Sequence, residues 1–222
     1  MAGDAAKRVG AQRDLQSKVD AVARQEPAIA WAVGLLDDDT TTLLTTDLAG
    51  GWIPPHVKLP AGITLLAPSA RRRDISAADL LGPVTVAAAY QPHGYIADPG
   101  PGDPVLSGER ARHGQYVDEL GPSLVSAMTR RPGLATTQFT AKAAVRGTGL
   151  LDHEVEQLRN ELNALRREVI GTYPEHMPEL VANWMLLSAV EAIADGHNDL
   201  AHYHLSWYLA SCATTSGQNN GV

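Results

Sequence analysis

The chain has 222 residues, 44% of them apolar, with 18 lysines and arginines against 25 acids and a formal net charge of −7. That composition supports a sizeable core and one large domain or two small ones. It excludes a general nucleic-acid binder, which carries a basic balance or stripe. The single cysteine, Cys212, excludes an internal disulfide and a thiolate metal cage.

Residues 12–25 predict an opening helix, with Leu15, Val19 and Val22 on one face and Pro27 barring its extension. The start, MAGDAAKRVGAQRD, has no apolar stretch of the kind a signal peptide needs, so a cytoplasmic location is expected. Ala28–Leu36 is strongly apolar, Asp37–Asp39 supplies a turn, and TTLLTT follows, which predicts a β-hairpin of about 28–36 and 41–46. The first strand is apolar on both faces and is expected to be central; the second is mixed and is expected nearer an edge.

Asp47–Pro68 is the most unusual segment. It carries Pro54, Pro55, Pro60 and Pro68 together with Trp52, Ile53, Val57, Leu59, Ile63, Leu65 and Leu66. A surface loop of ordinary kind is polar, so this one is expected to pack down as a rigid crossing, with Trp52 as its anchor. Gly62–Leu66 predicts a short third strand. Ser76 is a candidate N-cap for a helix over 77–81, and Val84–Tyr90 predicts a fourth strand. The basic run Arg71-Arg72-Arg73 is followed at once by Asp74 and reads as a loop or solvated face rather than a phosphate track.

Residues 91–108, with four prolines, predict a linker. Beyond it everything reads helical. A helix is expected over 109–129, kinked or split at Gly121-Pro122, and another over 136–145. Leu151, Val155, Leu158, Leu162, Leu165 and Val169 are spaced 4-3-4-3-4, a heptad seam read as a bundle helix within the monomer rather than a two-chain coil. Leu180–Ile193 is apolar around most of its circumference and is expected at the bundle centre, with Trp184 inside. At about 14 residues it is too short to span a bilayer. A last helix is expected over 198–211, and a tail over 214–222 with nothing to pack. The fold class that follows is α+β: a small antiparallel or mixed sheet domain with helices at 1–90, a linker at 91–108, an all-α bundle at 109–213 and a disordered tail.

No chemical motif stands out. His197, His202 and His204 cluster beside Asp195 and Asp199, but on a helix His202 and His204 point about 200° apart, and neither HExxH nor HxxEH occurs. No metal site is therefore expected. His153 with Glu156 and His176 with Glu179 are ordinary one-turn pairs. His56, inside the rigid crossing, is a candidate base, yet Ser69, Ser76 and Ser107 lack a GxSxG setting. Cys212, at the end of an apolar helix, reads as a half-buried structural thiol. GxGxxG and GxxxxGK[ST] are missing, so no nucleotide cofactor is expected. No catalytic residue can be assigned on these grounds.

WAVG at 31–34, TTLLTTDLAGGWIPPHVKLPAG at 41–62 and LDHEVEQLRNELNALR at 151–166 carry a resemblance to a family of uncharacterised mycobacterial proteins. The resemblance implies two paired domains of unknown function, with some members encoded near type VII secretion loci. It also implies that longer members carry additional N-terminal regions, this chain being their folded C-terminal portion, and that envelope association enters through such longer proteins. It carries over no catalytic residue. The chain has no WxG turn, and the residues four places after Tyr116, Tyr173 and Tyr203 are Leu120, Met177 and Trp207. A type VII export signal, which needs an acid at that place, is thus lacking. The expected function is an interaction or scaffold module with a protein partner or a second copy; the alternative is an enzyme of unrecognised type, a hydrolase using His56 or one of His197, His202 and His204 in a cleft between the two domains.

Overall fold

The computed structural model describes residues 2–110 and 117–216. The chain divides into two units, Met1–Ala111 and Arg112–Val222. The first is a mixed sheet with helices and the second an all-α bundle, the α+β organisation expected from the sequence.

In the first unit α1 (Ala2–Ala23) precedes the hairpin β1 (Trp31–Leu36) and β2 (Thr42–Thr46). The helix starts ten residues before the periodic stretch at 12–25, because its N-terminal turns carry no buried stripe for periodicity to reveal: residues 5–10 are exposed. β3 (Leu59–Pro60) and β4 (Ile63–Leu65) follow, then α2 (Ala77–Leu80), β5 (Val84–Tyr90) and β6 (Leu106–Ser107). The four-stranded sheet has the order β4-β2-β1-β5. β1 is antiparallel to both neighbours, pairing Trp31 with Thr46 and with Tyr90, while β2 and β4 run parallel from Thr42↔Ile63 to Leu44↔Leu65.

β1 is central, as its composition requires. Trp31, Ala32 and Val33 are buried in succession, and successive side chains point to opposite faces, so both faces are covered. α1 and α2 are the helices packed against it. The expectation that β2 lies nearer an edge is corrected: it is interior, and all five of its residues are buried. Its threonines gave the mixed appearance. Thr45 is fully buried, and its hydroxyl donates to the carbonyl of Thr46 (3.3 Å), so burial leaves that group satisfied. The edge falls to three-residue β4, a short edge strand that offers little to a stray partner.

The Pro-rich crossing is buried as expected. Trp52, Ile53 and Val57 have no exposed surface. The chain enters it through Gly50 and Gly51, both at positive φ (75° and 127°), and the carbonyl of Leu48 accepts from the amides of Gly51 and Trp52. A Cβ on Gly50 would sit 2.4 Å from the carbonyl oxygen of Arg72, so both conformation and space demand glycine there.

The stretch expected to be a linker, 91–108, is tied to the first unit. β6 pairs antiparallel with β3, Asp103 accepts from Arg24, and Arg24 Nη1 donates to the carbonyl of Ala97 (2.8 Å). Its prolines denied it periodicity but not attachment, which runs through side chains and one short ladder. The boundary between units falls three residues beyond Gly108.

The second unit contains α3 (Leu120–Thr129), α4 (Ala135–Arg146), α5 (Asp152–Gly171), α6 (Pro178–Ala194) and α7 (Asn198–Ser216). The helix expected over 109–129 begins only at Leu120, after Glu119 in the left-handed region (φ 51°); residues 111–116 lie outside the described residues. Gly121-Pro122 therefore marks a first turn rather than a kink. Proline costs nothing there because that N–H has no helical acceptor. Gly121 also allows a close approach to α4, since a Cβ would meet Val145 Cγ1 at 2.7 Å.

α5 carries the heptad seam and packs on α4 and α6 of the same chain. Leu158, Leu162 and Val169 are buried, Val155 and Leu165 half-buried, and Leu151 is 61% exposed, so the seam is used over its later turns. Its start is fixed by Glu154, whose carboxylate accepts from the amide of Leu151 (2.9 Å). α6 is the bundle's centre, with ten of its residues from Val181 to Ala192 buried. α7 runs to Ser216, five residues past the expected end, which takes in part of the expected tail; residues 217–222 lie outside the described residues. No helix among the described residues is long and apolar enough to cross a membrane.

Trp184 is 2% exposed within α6. A variant keeping only that tryptophan, with phenylalanine at Trp31, Trp52 and Trp207, should show blue-shifted emission and weak quenching by iodide. Free quenching would overturn this packing of the bundle.

Candidate functional site

The sequence-derived candidates fall in both units, His56 in the first and the α7 histidines in the second. His56 Nε2 lies 3.1 Å from Oε2 of Glu26, a carboxylate whose residue is only 4% exposed. Around this pair the crossing is clamped. Gln25 Nε2 donates to the carbonyl of Lys58 (2.9 Å) and Gln25 Oε1 accepts from the Lys58 amide (2.7 Å). Arg110, 6% exposed, donates from Nη1 to the carbonyl of Val57 (2.9 Å) and from Nη2 to that of Pro54 (2.8 Å). Prolines leave carbonyls that no ladder takes up, and a planar guanidinium spanning two of them satisfies both. His56, Glu26 and Arg110 thus hold a rigid turn in place. Ser76, one of the serines considered as its partner, is committed to the N-cap of α2, accepting from the Asp79 amide and donating to Asp79 Oδ2. The arginine run is also structural: Arg71 Nε donates to the carbonyl of Ala49 and Arg72 Nη2 to that of Asp79, each at 2.8 Å.

The α7 histidines separate. His197 is exposed, with its carbonyl accepting from the Ala201 amide at the start of the helix. His204 is fully buried and meets Tyr203 edge-on at 5.1 Å. His202 is half-buried, and its Nδ1 accepts from the amide of Val117 (3.1 Å). Elsewhere His176 stacks on Tyr173, and exposed His153 lies with Glu156, Gln157, Asn160 and Glu161 along a groove on α5. Among the described residues no group of three or more His, Cys, Asp or Glu side chains is placed to hold a metal ion.

His202 has a pH consequence. Burial lowers its pKa below the ordinary 6.5, opposed in part by Asp199. Only the neutral ring can accept from Val117, so the folded form resists the proton that the unfolded chain takes up. Stability from this group is complete above about pH 6.5 and is lost as pH falls toward the lower folded pKa. The melting temperature of wild type should therefore drop more than that of His202→Gln between about pH 7 and 5, since glutamine can still accept from Val117 without titrating. Parallel drops would remove His202 from the pH response.

One cluster was not legible from local motifs. Between α3 and α7 lies a cavity of about 530 Å³, lined by Pro122, Ser123, Ser126, Ala127, Arg130, Arg131, Tyr208, Leu209 and Cys212. Arg131 Nε donates to the Tyr208 hydroxyl (3.2 Å), Nη2 lies 3.9 Å from Cys212 Sγ, and the guanidinium carbon stands 5.6 Å from the centre of the Tyr208 ring. Burial raises the Tyr208 pKa above its ordinary 10.0, against the pull of Arg131, so the group stays a phenol at neutral pH. Burial works against the Arg131 charge, yet its bonds to Tyr208 and Cys212 outweigh that and the net shift is upward. The only sequence signal was the 208/212 spacing, one helical turn, facing a basic pair 77 residues earlier that nothing local connected to it.

Comparison with known proteins agrees with the two-unit fold. Residues 9–92 match a family of unknown function (DUF5632), and residues 117–211 match a second family of unknown function (DUF5631). The chain is 47% identical over 215 residues to the uncharacterized protein Rv2082 of Mycobacterium tuberculosis, covering 96% of this chain but 30% of that protein's length. It is also similar to a solved fragment, residues 184–410, of the conserved hypothetical protein Rv3899c of Mycobacterium tuberculosis. There the TM-score is 0.90 at 52% identity, over 94% of this chain and 98% of the fragment. With both domain matches in order along one chain, and a solved fragment of a relative matched along nearly all of that fragment, this protein belongs to the mycobacterial family of paired domains of unknown function that includes Rv2082 and Rv3899c.

Proposed function

We propose that the protein is a non-catalytic interaction or scaffold module. The observation that carries this reading is Phe139, the chain's one phenylalanine, which is 71% exposed on α4. The described tryptophans and tyrosines of the same unit are buried or half-buried, Trp184, Tyr203, Trp207 and Tyr208 at 3% exposure or less. A single exposed apolar residue is ordinary. An aromatic ring left out of a bundle that encloses its other aromatics is the kind of group on which contacts between proteins centre. The His56–Glu26–Arg110 clamp supports the same reading, because it spends the best-placed polar groups of the first unit on rigidity. An accessory role beside a type VII secretion system rests on the family resemblance alone.

The test compares wild type with Phe139→Ser. Sedimentation velocity from low to high micromolar concentration measures self-association, and pull-down from a mycobacterial lysate measures capture of a partner. Self-association or a captured partner lost in the variant, at an unchanged melting temperature, supports the proposal. A strictly monomeric wild type that captures nothing counts against it.

A second reading, hydrolysis, is favoured by one observation: a quarter-exposed imidazole with a buried carboxylate behind it, His56 on Glu26. That is the base and its orienting group, two of the three parts of a nucleophilic site. Ester turnover abolished by His56→Gln in a folded protein would support it; no turnover across an ester and amide panel would dismiss it.

A further inference from the structure

The cavity between α3 and α7 has a composition that the interaction reading does not use. Arg130 and Arg131 both line it, beside the hydroxyls of Ser123, Ser126 and Tyr208 and the thiol of Cys212, and the lining contains no acidic residue. Among the described residues neither guanidinium meets a carboxylate within ion-pair distance. In a chain with seven more acids than bases, two adjacent arginines facing one cavity without an acid are an uncompensated positive site.

The geometry orients one of these charges. Arg131 is held along its Nε edge by the Tyr208 hydroxyl and at Nη2 by Cys212, with the guanidinium over the Tyr208 ring. A guanidinium has five N–H donors, and these two bonds occupy two of them. Tyr208 accepts from Arg131 through its oxygen, and its own O–H, which has only the weak acceptor Cys212 Sγ beside it, can turn to a stronger oxyanion acceptor. Arg130, exposed just past the end of α3, adds a second charge to the cavity lining. Pro122, Ala127 and Leu209 supply apolar wall. Donors and positive charge on one side, with apolar surface beside them, match an oxyanion head joined to an apolar body.

We propose that the α3/α7 cavity binds a small amphipathic anion, its carboxylate or phosphate head held by Arg130, Arg131 and Tyr208 and its apolar part against Pro122, Ala127 and Leu209. A volume of about 530 Å³ suits a molecule of small-metabolite size. Cys212 lies in the wall and is the chain's only cysteine, so its reactivity reports occupancy of this cavity and no other.

The experiment measures the rate at which a neutral maleimide modifies Cys212 in the full chain, with hexanoate, hexyl phosphate or hexanamide added at up to ~10 mM, a range that detects millimolar affinity. At least one of the two anions should slow modification several-fold, and the uncharged amide should not. Stronger protection by hexyl phosphate assigns a phosphate head, and stronger protection by hexanoate a carboxylate head. Arg131→Gln should weaken the protecting anion about tenfold, in keeping with loss of a charge-assisted bond. Arg130→Gln, at an exposed position that leaves the packing intact, should weaken it less and should reduce the salt dependence of protection. No protection by either anion overturns the proposal. So does equal protection by hexanamide, which needs no variant to observe and would make the cavity merely apolar.

Discussion

Trp52→Ala should produce the largest loss of stability of any single substitution in the first unit. The side chain has no exposed surface and follows a single 3-10 turn, Leu48–Gly50, in a stretch that has no further helix or strand before Leu59. Up to Leu59 the crossing therefore holds its path by burial and by a few bonds to its carbonyls, not by a ladder. Removing a buried aromatic of this size costs about 3–5 kcal/mol, because the rigid surroundings cannot collapse into the space. Gly50 is pressed against the Arg72 carbonyl and Arg110 grips Pro54 and Val57, so this site is less able than most to relax. For a unit of about this size the melting temperature should fall by on the order of 10 °C or more. Trp52→Phe should lose much less. A melt unchanged in Trp52→Ala would mean that the crossing is held without its anchor.

The second expected result concerns where the chain can be cut. Residues 1–111 and residues 112–222 should each melt cooperatively when expressed alone, whereas residues 1–90 should be marginal or unfolded. The shorter fragment keeps every strand of the main sheet but loses what lies along it. Asp103 is no longer there for Arg24 and Ser17, the β3–β6 pairing is gone, and the carbonyls of Pro54 and Val57 lose Arg110. The Pro54 carbonyl keeps the Val57 amide (3.3 Å), but a buried carbonyl left without a partner, as that of Val57 would be, costs about 1–3 kcal/mol, against a total stability of about 5–15 kcal/mol for a typical domain. Arg110→Met in the full chain isolates that last term: methionine keeps the stem and removes the donors. Cooperative melting of residues 1–90 at the temperature of residues 1–111 would show that the 91–110 stretch is dispensable. A helical fragment that melts without cooperativity would mean that the two units stabilise each other.

The sequence by itself determined the element types and most of their limits. The apolar run at 28–36 read as a central strand, and its 31–36 part is one, while the stretch 180–193 read as a helix enclosed nearly all round, because hydrophobic pattern reports burial. Ser76 capped its helix because capping is a local bond. The heptad seam announced a bundle helix, although only its later turns are packed. What the sequence did not determine was anything made between distant residues. β2 looked like an edge strand because its threonines are polar, and only pairing with β4 from twenty residues on makes it interior. The 91–108 stretch looked detached because attachment through Arg24, Asp103 and Arg110 leaves no periodic trace. The crossing's four prolines foretold rigidity, but not that a histidine, a buried glutamate and an arginine would supply it. The cavity shows the same limit most plainly: Arg131, Tyr208 and Cys212 are unremarkable where they stand in the chain, and become a site only because the turn that follows α3 is brought against α7. Local chemistry decides which element forms; which side chains then meet is settled by long-range packing, for which a single sequence carries no local signal.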